Sequence, residues 1–178
     1  MNIRRRVVDV CNTRSKIFFR LYYTCWMIET IDNIKNTRLF LLKLLEGLSP
    51  EQLNKVPPGF NNNIIWNLAH LIAAQQGLCY IRSGNTPPVD PAYILPFKPD
   101  TQPERYIAEE EVQVIKSLLI SSVDQLKVDY QKDIFNNYTT FTTRYGAVLS
   151  NIVDAINFLG YHEGLHSGYI MALKRLVV

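Results

Sequence analysis

Apolar residues recur at three- and four-residue steps in four stretches of the chain, and this spacing predicts four amphipathic helices. The helices cover about residues 27–46, 61–85, 109–130 and 148–175. In the first helix the apolar stripe is interrupted at Thr37 and Arg38. The second helix begins with asparagines, whose side-chain oxygens can cap the free N–H groups of a helix N-terminus. The third begins with glutamates, whose negative charge is favourable at the positive N-terminal end of a helix.

Two of the three connections between these helices are long and lack helical periodicity. Residues 84–107 hold six prolines, and because proline removes a backbone donor and fixes φ, no long helix is expected there. Tyr93 and Phe97 predict that this connection folds back onto the core. Residues 131–147 are rich in Asn, Thr and aromatic residues and predict a loop with a short hairpin. The whole pattern predicts an all-α protein, a four-helix bundle with a long crossover between helices 2 and 3.

The three histidines of the chain fall in two of the predicted helices. His70 lies inside the second helix, and His162 and His166 lie four residues apart on the inward-facing stripe of the fourth. Side chains at this spacing share a helix face about 5–6 Å apart at Cβ, so two imidazoles can reach one ion. Because imidazole is the commonest protein ligand for metals near neutral pH, these histidines predict a divalent-metal site.

The segment His162–His166 also reads H-E-x-x-H, the zinc-protease motif in which the glutamate activates water. A protease of this type needs a third protein ligand, and none of the twelve residues after His166 is Asp, Glu or His. With His70 as the third ligand, the site keeps positions open for water or substrate, as catalytic zinc sites do. Glu163 is then incidental, either within the core or exposed to solvent. Three satisfied core histidines are the structural alternative.

Charge and cysteine content narrow the functional classes. The formal net charge is +3, but residues 1–26 carry +5 and the remainder −2, so the main domain lacks the basic footprint of a nucleic-acid-binding protein. Three cysteines without a CxxC pair predict neither a disulfide framework nor a thiolate zinc site, and they fit a cytoplasmic protein. No apolar run reaches the ~20 residues that span a membrane.

The first 26 residues differ from the rest of the chain. They are basic, contain aromatics and show no cleavage site of the A-x-A kind, whereas Met27 opens a clean helical pattern. Our hypothesis is that residues 1–26 are an extension, that translation naturally starts at Met27, and that the domain covers residues 27–178. A targeting arm and an interaction arm are the alternatives.

Two stretches carry a resemblance to a known family. Residues 63–71 place a tryptophan four residues before His70, and residues 161–170 contain the H-x-x-x-H pair, followed by the basic tail at 173–175. In their order, their spacing and the helix layout around them, these stretches resemble the DinB/YfiT-like superfamily over about residues 27–178. Residues 1–26 lie outside the resemblance.

The resemblance implies a four-helix bundle of that superfamily's topology, in which His70, His162 and His166 bind a divalent metal, usually nickel or zinc. It also implies a homodimer. Some members resemble transferases that use low-molecular-weight thiols, and others are described as metal-dependent hydrolases. Despite the family name, neither a DNA polymerase nor direct DNA repair is implied. All three ligand positions are intact in this chain.

The functional hypothesis is an enzyme that uses the metal as a Lewis acid, or to activate water or a thiolate, on a small-molecule substrate. Zinc and nickel are favoured, with manganese and iron as alternatives, because imidazole suits several metals. Trp66 and Tyr169 are weak candidates for substrate binding, with core packing as the alternative role. Asn67 either orients a ligand or lies at the surface. The alternative function is a non-enzymatic metal-binding stress or interaction module with a closed site.

Overall fold

The computed structural model describes the backbone of residues 3–178 and the side chains from residue 24 onward. Within that part the chain is mostly helical, as predicted, with one short antiparallel hairpin. The helices are α1 (Ile3–Leu44), α2 (Pro50–Asn54), α3 (Ile64–Gln75), α4 (Glu109–Gln131) and α5 (Ile152–Val177), and the strands are β1 (Phe141–Thr142) and β2 (Val148–Leu149).

Helix α1 begins at Ile3 and not near Met27, the start that its apolar stripe predicted. The physical reason is that no Gly or Pro precedes Gly47, so nothing in the sequence stops the helix on its N-terminal side. Met27 itself is fully buried. The hypothesis that residues 1–26 are an extension stays a prediction, because most of that segment lies outside the residues whose side chains are described.

Helix α5 begins at Ile152, a turn later than the apolar pattern predicted. Val148 fits the helical spacing but lies in β2, where it pairs with Thr142 and is 57% exposed. The helix begins instead where the Asn151 side chain accepts a hydrogen bond from the Asp154 N–H. The hairpin predicted within residues 131–147 therefore extends to Leu149.

Helix α3 begins as the asparagine cluster predicted, with the Asn63 side chain accepting a hydrogen bond from the Trp66 N–H. Every residue of α3 is buried. The chain then continues through a π-helical turn at Gln76–Tyr80 and a 3-10 turn at Ile81–Ser83. Gly84 ends it with a left-handed φ of 70°, a conformation that glycine adopts without steric cost. The central position of α3 explains its apolar sequence.

Helices α1 and α3 pack against the same two long helices. Helix α1 contacts α4 and α5, and α3 contacts the same two helices. The crossover between α3 and α4 folds back onto α3 through 3-10 turns at Pro91–Tyr93 and Leu95–Phe97, as predicted from its aromatic residues. Phe97 is buried in the main core cluster. No helix in the described part of the chain is both long enough and apolar enough to cross a bilayer.

A buried arginine joins the four long helices. Arg38 of α1 is 0% exposed, and its Nε and Nη2 both donate to Glu163 Oε1 of α5, at 2.9 and 2.7 Å. Nη2 also donates to the Leu71 carbonyl of α3, at 3.0 Å. Nη1 donates to Gln75 Oε1 of α3 and to the Leu119 carbonyl and Ser122 Oγ of α4. Because these partners are buried as well, the guanidinium depends on all three neighbouring helices for its hydrogen bonds.

We expect Arg38→Met to lower the free energy of unfolding by about 3–5 kcal/mol, because it leaves the Glu163 carboxylate buried without its partner. The double variant Arg38→Met/Glu163→Leu should recover much of this loss, since it removes both charges. Urea denaturation of the full chain, followed by circular dichroism, measures both.

Lys35→Met is the matched control, because Lys35 lies on the same helix and its ion pair with Asp124 is exposed. Its effect should stay within about 1 kcal/mol. An Arg38→Met variant as stable as this control would contradict a central role for the buried network.

Candidate metal centre

The structure brings together the three histidines that the sequence singled out. His70 of α3 faces His162 and His166 of α5, and one ring nitrogen of each lies within 4.8 Å of the others. The ring centroids are 4.5 to 5.2 Å apart. His70 and His162 are buried, and His166 is half-buried. Three imidazoles this close could hold a metal ion.

The crossover orients His70. Its Nδ1 lies 2.6 Å from the Phe97 carbonyl oxygen, and because a carbonyl only accepts hydrogen bonds, Nδ1 carries the proton. The lone pair of the neutral ring is then on Nε2, available to a metal. Trp66 stacks on the ring at 4.7 Å with an interplanar angle of 10°. Phe97 and Trp66 thus fix both the tautomer and the plane of this imidazole.

Asn67 orients His166 in the same way. The Asn67 side chain donates through Nδ2 to the Asn63 carbonyl at 2.7 Å, which leaves its Oδ1 as an acceptor. Oδ1 lies 2.8 Å from His166 Nδ1, so this nitrogen is the donor and Nε2 keeps the lone pair. Asn67 is buried, which excludes the surface position considered from sequence. The N-terminal cap of α3 is therefore linked to a histidine of α5.

His162 is the histidine without such a partner. Its Nδ1 is buried and makes no hydrogen bond. A buried polar atom without a partner is costly, and here it lies in a cluster of three imidazoles. It is the kind of atom that a bound cation would satisfy, so the donor set fits a divalent metal.

Burial keeps these imidazoles neutral. Burial is the main reason why the pKa of His162 is lowered to about 2. The other two histidines, Arg38 and Arg144 lower this pKa further. Burial, followed by the charge of His70, lowers the pKa of His166 to about 3. The pKa of His70 is lowered chiefly by burial as well. Because only neutral imidazole binds metals, all three rings are in the competent form at neutral pH.

Glu163 of the H-E-x-x-H sequence turns away from the cluster into the core. Its carboxylate is 1% exposed and bound to Arg38, so the solvent-exposed position considered from sequence is excluded. Burial raises the pKa of its carboxyl, and the guanidinium of Arg38 opposes that effect. Sequence analysis did not identify Arg38 as its partner, although the interruption of the apolar stripe at this position was a signal. The carboxylate neutralises a buried cation instead of facing the histidines.

Trp66 and Tyr169, the weak candidates for substrate binding, have different surroundings. Trp66 borders a cavity of about 290 Å³ beneath the crossover, whose lining includes Phe97 and Arg105. None of the three histidines lines this cavity, although Trp66 and Phe97 both contact His70. Tyr169 packs edge-on against the ring of Phe60, at 5.5 Å, and its role in substrate binding stays a prediction.

A family model described as the DinB superfamily matches residues 34–170 of the chain, a range that includes all three histidines and Arg38. No curated protein matches the chain significantly.

We expect Asn67→Leu to weaken binding of zinc(II) or cobalt(II) by roughly 10- to 100-fold, because His166 loses the acceptor that fixes its tautomer and orientation. Competition with a chromophoric chelator measures the affinity. Asn54→Leu is the control: Asn54 also bonds backbone groups, including those of Ile107, but does not bond a histidine. Equal affinity in the Asn67→Leu variant and the unmodified chain would refute the orienting role.

Proposed function

Because the chain belongs to the DinB superfamily, we propose that it is a metal-dependent enzyme whose divalent cation is held by His70, His162 and His166. The observation that carries this proposal is the convergence of three neutral imidazoles, two of them with Nε2 left free by hydrogen bonds at Nδ1. Zinc and nickel are the favoured ions, and manganese and iron are the alternatives. We further propose that the long helices form the superfamily's four-helix bundle, with its crossover between α3 and α4.

The reaction we propose is a thiol-dependent transfer or a hydrolysis on a small-molecule substrate, with a low-molecular-weight thiol as a candidate partner. When bound, the cation would supply Lewis acidity and favour the deprotonated form of a thiol or water. Three protein ligands leave room for such a group. The chain's own part is to hold the rings: the Phe97 carbonyl fixes His70, and Asn67 fixes His166.

A non-enzymatic metal-binding module is the second candidate function. It is favoured by the burial of His70 and His162 and by the position of the cavity, which borders Trp66 and not the histidines. A structural or sensing site is expected to be closed in this way. A homodimer and a cytoplasmic location stay predictions from the sequence.

We expect the double variant His162→Ala/His166→Ala to lose stoichiometric metal, whereas the unmodified chain should bind about one ion per chain. The physical reason is that a single remaining imidazole cannot hold a divalent ion against solvent. Metal content after dialysis, measured by mass spectrometry, is the test. Leu165→Ala is the control, since Leu165 lies between the two histidines in sequence but is exposed.

Turnover separates the two candidate functions. The metal-loaded chain is assayed with a panel of thiols plus electrophiles and with a panel of esters and amides. Turnover that disappears in the double histidine variant supports the enzyme. Full metal loading without turnover on either panel supports the module, and metal binding unchanged in the double variant would overturn the site itself.

A further inference from the structure

The cavity of about 290 Å³ beneath the crossover, called the crossover cavity below, lies beside the first turn of α3. Four of its lining side chains are apolar and at most 4% exposed: Ile65, Trp66, Phe97 and Ile107. The buried polar residue in its lining, Asn63, already uses both ends of its amide, accepting from the Trp66 N–H and donating to the Asn54 carbonyl. The inner wall therefore offers mainly apolar contact to a ligand.

The size and the aromatic lining of the crossover cavity fit a single ring. Apolar cavities of about 150 Å³ bind benzene, so 290 Å³ leaves room for a ring and a short chain. Trp66 is held in place by stacking on His70, at 4.7 Å, and presents a fixed aromatic wall. Small-molecule sites are commonly of this kind, apolar and aromatic with few polar groups.

The outer part of the crossover cavity carries one uncompensated negative charge. Glu104 and Arg105 both line it and are exposed. The guanidinium of Arg105 is neutralised, because its two Nη atoms donate to the two carboxylate oxygens of Glu111, both at 2.6 Å. Glu104 makes no ion pair with any residue that the structure describes. A cationic group on a ligand would complement this carboxylate, whereas an anionic group would be repelled.

We propose that the crossover cavity binds a small aromatic monoamine, with its ring among the buried apolar side chains and its ammonium group beside Glu104. Burial of the ring supplies most of the affinity, and Glu104 sets the preference for a cation. The inference goes beyond the proposed function. Trp66 and Phe97 contact His70, but none of the three histidines lines this cavity, so the amine site is adjacent to the metal centre and separate from it.

Three probes that differ in the charge of one end group test the proposal: 3-phenylpropylamine, 3-phenylpropan-1-ol and 3-phenylpropionate. The full-length chain carries Trp26→Phe, which leaves Trp66 as its only tryptophan, so its fluorescence reports on the cavity wall. We expect the amine to bind roughly two- to fivefold more tightly than the alcohol, and the carboxylate to bind most weakly. Equal affinity for all three probes, or no binding of the amine, would overturn the proposal.

Glu104→Gln should lower the affinity for the amine to that for the alcohol and leave the alcohol unaffected. Glu29→Gln is the matched control for net charge, because Glu29 is exposed on α1, a helix that does not line the cavity. Ile107→Phe should weaken binding of all three probes, since it adds volume to the cavity wall, and circular dichroism checks that this variant folds. An amine preference that survives Glu104→Gln would overturn the placement of the ammonium group.

Removal of metal separates the amine site from the proposed metal centre. Chelator-treated protein should bind the amine as tightly as zinc-loaded protein, because no histidine lines the cavity. Amine binding that requires added zinc(II) would instead locate the amine at the histidine cluster and overturn the inference. A chain that binds the amine but takes up no metal would refute only the proposed function.

Discussion

The arrangement of this protein depends on a positive charge that is completely removed from water. Arg38 has no exposed surface, and its guanidinium is satisfied only when α3, α4 and α5 all present acceptors to it. A buried charge without partners costs several kcal/mol, so alternative packings that displace any of these helices are strongly disfavoured. Apolar contacts alone would tolerate small shifts of one helix along another, because they are not directional. The arginine removes that freedom.

The same guanidinium is hydrogen-bonded to the residues that directly follow two of the three histidines. Nη2 donates to the carbonyl of Leu71, which follows His70, and to the carboxylate of Glu163, which follows His162. Successive residues on a helix point about 100° apart, so α5 presents His162 to one side and Glu163 to another. This division separates the glutamate of the H-E-x-x-H sequence from the three clustered histidines. The glutamate fixes the helix, and the histidines on either side form the site.

How much the sequence could predict depended on whether the signal was local. The helices and the inward position of His162 and His166 follow from spacing, and the cap at Asn63 follows from residue type. Arg38 could be recognised as unusual in an apolar stripe, but its partner lies 125 residues away. The hydrogen bond from His166 to Asn67 spans 99 residues and is invisible for the same reason. Val148 misled the prediction because one residue fits helical and strand spacing equally well.

The electrostatics of the histidine cluster follow from the neutrality of its three imidazoles. Three uncharged imidazoles would leave a bound divalent cation with its full double charge, whereas carboxylate or thiolate ligands would offset it. Glu163, the acidic residue adjacent to His162 in sequence, is already paired with Arg38 and does not compensate that charge. Arg144 adds another positive charge nearby. A divalent ion bound by these histidines would favour an anionic fourth ligand over a neutral one, because the anion would offset the uncompensated charge.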